Sequence, residues 1–371
     1  MIQFSTPLIF VDGFIDKIIK LNSELKKSKI TSVYNCFPLS FENKCGFEQV
    51  RVWGYPNINN EDDFFRYVKT AQDAGIEFIY LLNSPNSMTP VEFFINSSKI
   101  NSFIENLLHH NIKIVRVTNT QLIDYITQNY PEIEIRTSTS QEYCSIRQYK
   151  HLFNQFPNIT EIVPSWDLNK NFLFLKSFKK SFDKKIELMV NEGCLPGCPF
   201  RNHHNSGLTR NSDDVHLLSR IPTRFVIPFR QMCEKLFFAD TWLHVMQSNV
   251  IYPWEIETYV SKYNITKFKL VGRNATKYDL RNGKYFDIYE FYLKGIEDYD
   301  YIANMEFRKF NHYICENNTH PNFNLTIAEI KEYLPDITYF EKNGHKCTSI
   351  CGVECRYCHS LADKIREVYP F

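Results

Sequence analysis

The sequence predicts an α/β fold, a (β/α)8 TIM-like barrel with a C-terminal cysteine-rich extension, and two observations carry that expectation. Eight short β-branched or apolar runs alternate with helix-length amphipathic stretches, and eight strands close such a barrel. No glycine-rich dinucleotide or phosphate loop follows any of the runs, which argues against an open doubly wound sheet with the same alternation.

In chain order the strand runs are ITSVYNC (30–36), EFIYLL (77–82), KIVRV (113–117), EIEIRT (132–137), TEIVPS (160–165), IELMV (186–190), RFVIPF (224–229) and KFKLVG (267–272). The intervening helices carry their own start and stop signals. NEDDFFRYVKTAQDAG opens on acidic residues and closes on Ala74-Gly75, and SSKINSFIENLLHHN opens on serine and closes on Asn111. TQLIDYITQNYP ends at a proline, and YPWEIETYVSKYN places Pro253 in its first turn, where the missing N–H costs nothing. After Arg273 the pattern changes to an aromatic-rich, helical segment. The chain is therefore read as a barrel over residues 1–275 and a helical extension over 276–371 ending in four cysteines.

Composition sets the class. Hydrophobic content of 43% and charged content of 23% suit a globular protein with a sizeable core. The 43 basic and 42 acidic residues leave a net charge of +1, so no global field draws the chain to nucleic acid or membrane, although RNA as a substrate is not excluded. No apolar run reaches the roughly 18 residues of a membrane helix, and the N-terminus lacks the order of a secretory signal. A cytoplasmic location is expected, and in that reducing compartment 11 cysteines point to metal or catalysis rather than to disulfides.

A barrel gathers function at the C-terminal ends of its strands. By this count Cys36 ends the first strand, Asn83 follows the second, and Thr118-Asn119 follow the third. Asn191, Glu192, Cys194 and Cys198 follow the sixth strand, Arg230 and Cys233 the seventh, and Arg273 the eighth. Cysteines distant in sequence thus converge on one face.

The stretch NEGCLPGCPFRNHHN (191–205) concentrates the chemistry. Zinc would take Cys194, Cys198, His203 and His204, but neighbouring histidines do not easily face one ion. A thiol nucleophile would need His203 or His204 as its base. An iron–sulfur cluster asks for up to four thiolates from separate loops: Cys194, Cys198 and Cys233, with Cys36 as the fourth and Cys45 in competition with it. Glu192 is a candidate general acid or base, its carboxyl expected to be raised by desolvation, or a brace for the loop. Arg201 and Arg273 are candidates to hold an anionic group of the substrate, or to form loop salt bridges.

Near the end, CTSICGVECRYC places Cys347, Cys351, Cys355 and Cys358 within twelve residues. The spacing suits a second cluster, an electron relay at the surface, or a zinc ion. Its last three cysteines have the C-x3-C-x2-C spacing that leaves one iron open, but they lie at the chain's end rather than after a first barrel strand.

NEGCLPGCPFRNHHN, SVYNC and IYPWEIETYVSKYNITKFKLVGR together resemble the peptidase U32-like TIM-barrel proteins, over most of residues 30–275. The resemblance implies a [4Fe-4S] cluster at the barrel mouth and oxygen-independent hydroxylation of a small molecule or RNA, with hydrolysis as the alternative that the family label gives. It matches Cys194 and Cys198 to paired ligands, Cys36 to a ligand from the first strand's loop, and Cys233 to a late ligand. An electron-donor protein and a heterodimer partner are the expected macromolecular partners, with no membrane. A non-catalytic, metal-stabilised partner subunit is the remaining alternative.

Overall fold

The computed structural model describes residues 1–37, 45, 47, 57–85, 88–194, 196–202, 239–271, 286–307, 325–343 and 353–369. Its centre is a closed barrel of eight parallel strands in sequential order. The strands are β1 (Ile2–Pro7), β2 (Ser28–Asn35), β3 (Glu77–Leu82), β4 (Ile114–Val117), β5 (Glu134–Thr137), β6 (Ile159–Ile162), β7 (Lys185–Met189) and β8 (Lys267–Lys269).

Seven of the expected strand runs are barrel strands, and the count of eight is reached differently. The chain's first residues, IQFSTP, form β1, which pairs with both β2 and β8 and so closes the ring. Its polar Gln3, Ser5 and Thr6 hide a strand that is buried along most of its length. RFVIPF (224–229) lies outside the described residues. β7 and β8 are neighbours in the barrel: Glu187, Leu188 and Met189 pair directly with Lys267, Phe268 and Lys269. Every strand number from the sequence reading therefore moves up by one as far as β7: Cys36 follows β2, and the cysteine stretch follows β7.

Helices fill the outer layer: α1 (Phe14–Glu24), α2 (Glu61–Asp73), α3 (Pro90–Ile95), α4 (Ser97–His109), α5 (Thr120–Asn129), α6 (Ile146–Gln155) and α7 (Phe172–Ser181). The local code of α2 is typical. The Asn60 side chain accepts from Asp63 N at 2.8 Å, three acidic residues occupy the first turn, and Gly75 turns the chain away at φ +71°. Its inner face, Phe64, Phe65, Tyr67, Val68 and Ala71, packs into an aromatic cluster in which Phe37 meets Phe64 at 4.7 Å between ring centres.

After β7 come α8 (Thr241–Gln247), a 3₁₀ turn (Pro253–Glu255) and α9 (Ile256–Tyr263), which leads into β8. Then α10 (Asp287–Glu297) lies over the start of β2: the Glu297 carboxylate accepts from the amides of Lys26, Lys27 and Ser28 at 3.1, 2.5 and 3.1 Å. Beyond it are α11 (Tyr299–Ala303), α12 (Ile327–Lys331), α13 (Ile337–Asn343) and α14 (Tyr357–Val368). The final helices pack on the barrel's helical layer. Glu341 on α13 pairs with Lys262 on α9 at 2.8 Å, and α14 lies along α8, with Arg366 paired to Asp240.

The barrel interior is ionic as well as apolar. Arg116 of β4 is fully buried and pairs with Glu161 of β6 at 3.2 Å and Glu187 of β7 at 2.6 Å. Lys267 of β8 reaches Glu161 at 2.6 Å, and Arg136 of β5 reaches Glu77 at 2.6 Å. Burial pushes the Glu187 carboxyl up, but Arg116 and Lys269 outweigh it and hold the group below the usual carboxylate range. Small barrels have no water channel, so charges inside must find one another.

Candidate functional site at the barrel mouth

The loop after β7 is built from its backbone outward. Asn191 exchanges two hydrogen bonds with Val271, its amide donating to Val271 O and its carbonyl oxygen accepting from Val271 N, both at 2.8 Å. This ties the start of the loop to the residue beyond β8. Glu192, almost fully buried, accepts from Cys194 N at 3.2 Å, so the bracing role is realised. His244 of α8 donates from Nε2 to Gly193 O at 3.0 Å, and its burial holds the imidazole pKa below the usual range. Gly197, at φ +63°, allows the turn between the two cysteines.

Asp167 anchors the far side. It sits in a 3₁₀ turn (Trp166–Leu168) after β6 and receives Arg201 Nη1 at 2.6 Å and Nη2 at 3.0 Å, Gly197 N at 3.1 Å and Asn249 Nδ2 at 3.3 Å. The Arg201 guanidinium also lies 4.4 Å from the Trp166 ring centre. Arg201 is 4% exposed and its charge is matched in a two-point carboxylate pair, so it seats the loop.

The loop holds Cys194 and Cys198 together, their thiols hydrogen-bonded. That bond, with burial and the nearby Glu192 charge, pushes the Cys194 thiol well above its usual range against the pull of Arg201. Cys36, fully buried, follows β2, and Cys45 is also buried. Among the described residues, these four do not form a group of three or more candidate metal ligands. Cys233, Arg230, Arg273, His203 and His204 lie outside the described residues.

The donor chemistry nonetheless fits the group that the U32-like resemblance implies. Two thiols are brought together on one loop after β7, and Cys36 and Cys45 lie beyond β2 of the same barrel. At the C-terminal end of the chain, Cys358 is buried in the first turn of α14, and Cys355 Sγ lies 3.2 Å from the Tyr339 hydroxyl. Tyr339 and Tyr357 stack at 3.7 Å beside them. Cys347 and Cys351 lie outside the described residues.

Two site residues escaped the sequence reading. Asp167 stands in the SWD segment after the TEIVPS strand, a position the barrel rule points to. Glu142 follows β5 with a left-handed backbone at φ 53°, and burial raises its carboxyl, Arg201 pulling it down and Asp167 and Cys198 pushing it up.

No family model matches the chain. An uncharacterized protease of Methanocaldococcus jannaschii is 23% identical over 267 residues, covering 70% of this chain and 72% of that protein. A solved U32 peptidase aligns with 9% identity and a TM-score of 0.47, over 73% of this chain and 92% of its own. Among the described residues, no helix is long and apolar enough to cross a membrane.

Proposed function

We propose that this chain is an iron–sulfur-dependent redox enzyme, acting by oxygen-independent hydroxylation or a related modification of a small molecule or RNA. The observation that carries the reading is the pairing of Cys194 and Cys198 on a loop seated by Asp167 at the barrel mouth. Cys194 and Cys198 would hold a [4Fe-4S] cluster with further thiolates from Cys36, Cys45 or Cys233. When bound, the cluster supplies electrons to the substrate or takes them up. Glu192 fixes the Cys194 backbone, Arg201 and Asp167 fix the turn, and Arg273 is the candidate for an anionic substrate group. Cys347, Cys351, Cys355 and Cys358 would hold a second cluster as an electron relay, or zinc.

The relative's printed name favours hydrolysis as the second reading. A thiol protease needs an ionised cysteine beside a base. Here the Nε2 of His244 is engaged with the Gly193 carbonyl oxygen. The geometry supports the redox reading better.

Anaerobic purification with iron, sulfide and zinc quantified tests it, on the full chain and on Cys194→Ser and Cys355→Ser. About four irons lost separately from each variant is the expected result. Zinc alone in all three samples would end the redox reading.

A further inference from the structure

The segments after β4 and β5 carry polar atoms that no described residue satisfies. Among the described residues, Thr118 Oγ1, Thr139 Oγ1, Gln141 Oε1 and Glu142 Oε1 are buried with no hydrogen-bond partner. Thr118 and Thr139 are only 8% and 7% exposed. The residues are joined: Gln141 Nε2 donates to Thr118 O at 2.9 Å, and Thr139, Gln141 and Glu142 lie in one 3₁₀ turn and its cap.

Each of these atoms can accept a hydrogen bond, and two of them, the Gln141 amide oxygen and the Glu142 carboxylate oxygen, do nothing else when Glu142 is ionised. An unsatisfied buried acceptor costs about 1–3 kcal/mol. Charge points the same way. Of the described charged groups around the cysteine loop, Arg201 is matched by Asp167, which leaves the Glu142 carboxylate in surplus.

We propose that the β4–β5 wall is a subsite for a primary ammonium group of the substrate, held by Glu142 and Gln141 with the Thr118 and Thr139 hydroxyls. An ammonium supplies three donors and one positive charge, which match the acceptors and the surplus. A group that only accepts hydrogen bonds would leave the wall as unsatisfied as before. The inference rests on reading the mouth as the substrate site, but not on the cluster.

The test uses the purified full chain and three probes: n-butylammonium, tetramethylammonium and n-butanol. Binding is followed by the backbone and side-chain amide resonances of Thr118, Gln141 and Glu142. Saturable shifts with n-butylammonium alone are expected, weakened about tenfold or more in Glu142→Gln, which loses the charge-assisted bond. Glu142→Gly provides a second variant that suits the left-handed backbone while removing the carboxylate. Equal shifts with tetramethylammonium, unchanged affinity in both folded variants, or no saturable shift at all would each overturn the subsite. Iron lost with amine binding kept would refute the redox reading alone, and iron kept without amine binding would refute the subsite alone.

Discussion

Asp167 and Arg201, thirty-four residues apart, meet in a paired contact at 2.6 and 3.0 Å, and the same carboxylate accepts from Gly197 N. One side chain therefore sets both the end of the cysteine loop and the turn between its cysteines.

Asp167→Asn should leave the buried Arg201 guanidinium without a counter-charge. Breaking one side of a buried pair costs about 3–5 kcal/mol, so urea unfolding should show a loss of that order. Arg201→Lys should lose less but still more than about 1 kcal/mol, because lysine cannot make the two-point contact. A wild-type urea midpoint for Asp167→Asn would show that the pair does not hold the loop.

Glu187 makes stability depend on acid. Its carboxyl is held below the unfolded value of about 4.3 by Arg116 and Lys269, so it contributes stability that is fully present above that value. That contribution is lost as pH falls through the depressed folded value. Glu187→Gln should lower stability at pH 7 by about 3–5 kcal/mol and flatten the acid limb below about pH 4.3. Thermal unfolding followed between neutral and acid pH compares the two slopes.

Gly295 of α10 has no room for a side chain. An added Cβ would lie 2.8 Å from Ile302 Cδ1 and 3.1 Å from Pro253 Cβ, and Ile302 is fully buried. Alanine gains about 1 kcal/mol of helix propensity, while overpacking costs about 1–3 kcal/mol. Gly295→Ala should thus be destabilising by up to about 2 kcal/mol, and Ile302→Val in the same chain should recover part of the loss. Additive effects in the double-variant cycle would argue that the two positions do not touch.

The barrel was legible because β-branched runs and capped amphipathic helices keep their periods, as in EFIYLL and the Asn60-capped helix. β1 was not, because its polar Gln3, Ser5 and Thr6 break the apolar pattern by which strands are recognised. The same holds for Arg116, Arg136, Glu161 and Glu187, charges that local sequence reads as solvent-facing alternation but that the closed ring turns inward. At the mouth, Cys194, Cys198 and Glu192 announced themselves by crowding. Asp167 and Glu142 did not, since their partners lie on other loops and only closure of the ring brings them near.

The pins on either side of residues 203–238 separate two duties of the chain. Arg201 is fastened through Asp167 before that stretch, and beyond it Asp240 is fastened to Arg366 and His244 to Gly193. One duty is to seat the cysteine loop, met by Asp167 on Arg201 and His244 on Gly193; the other is to fasten α14 to the start of α8, met by Arg366 on Asp240.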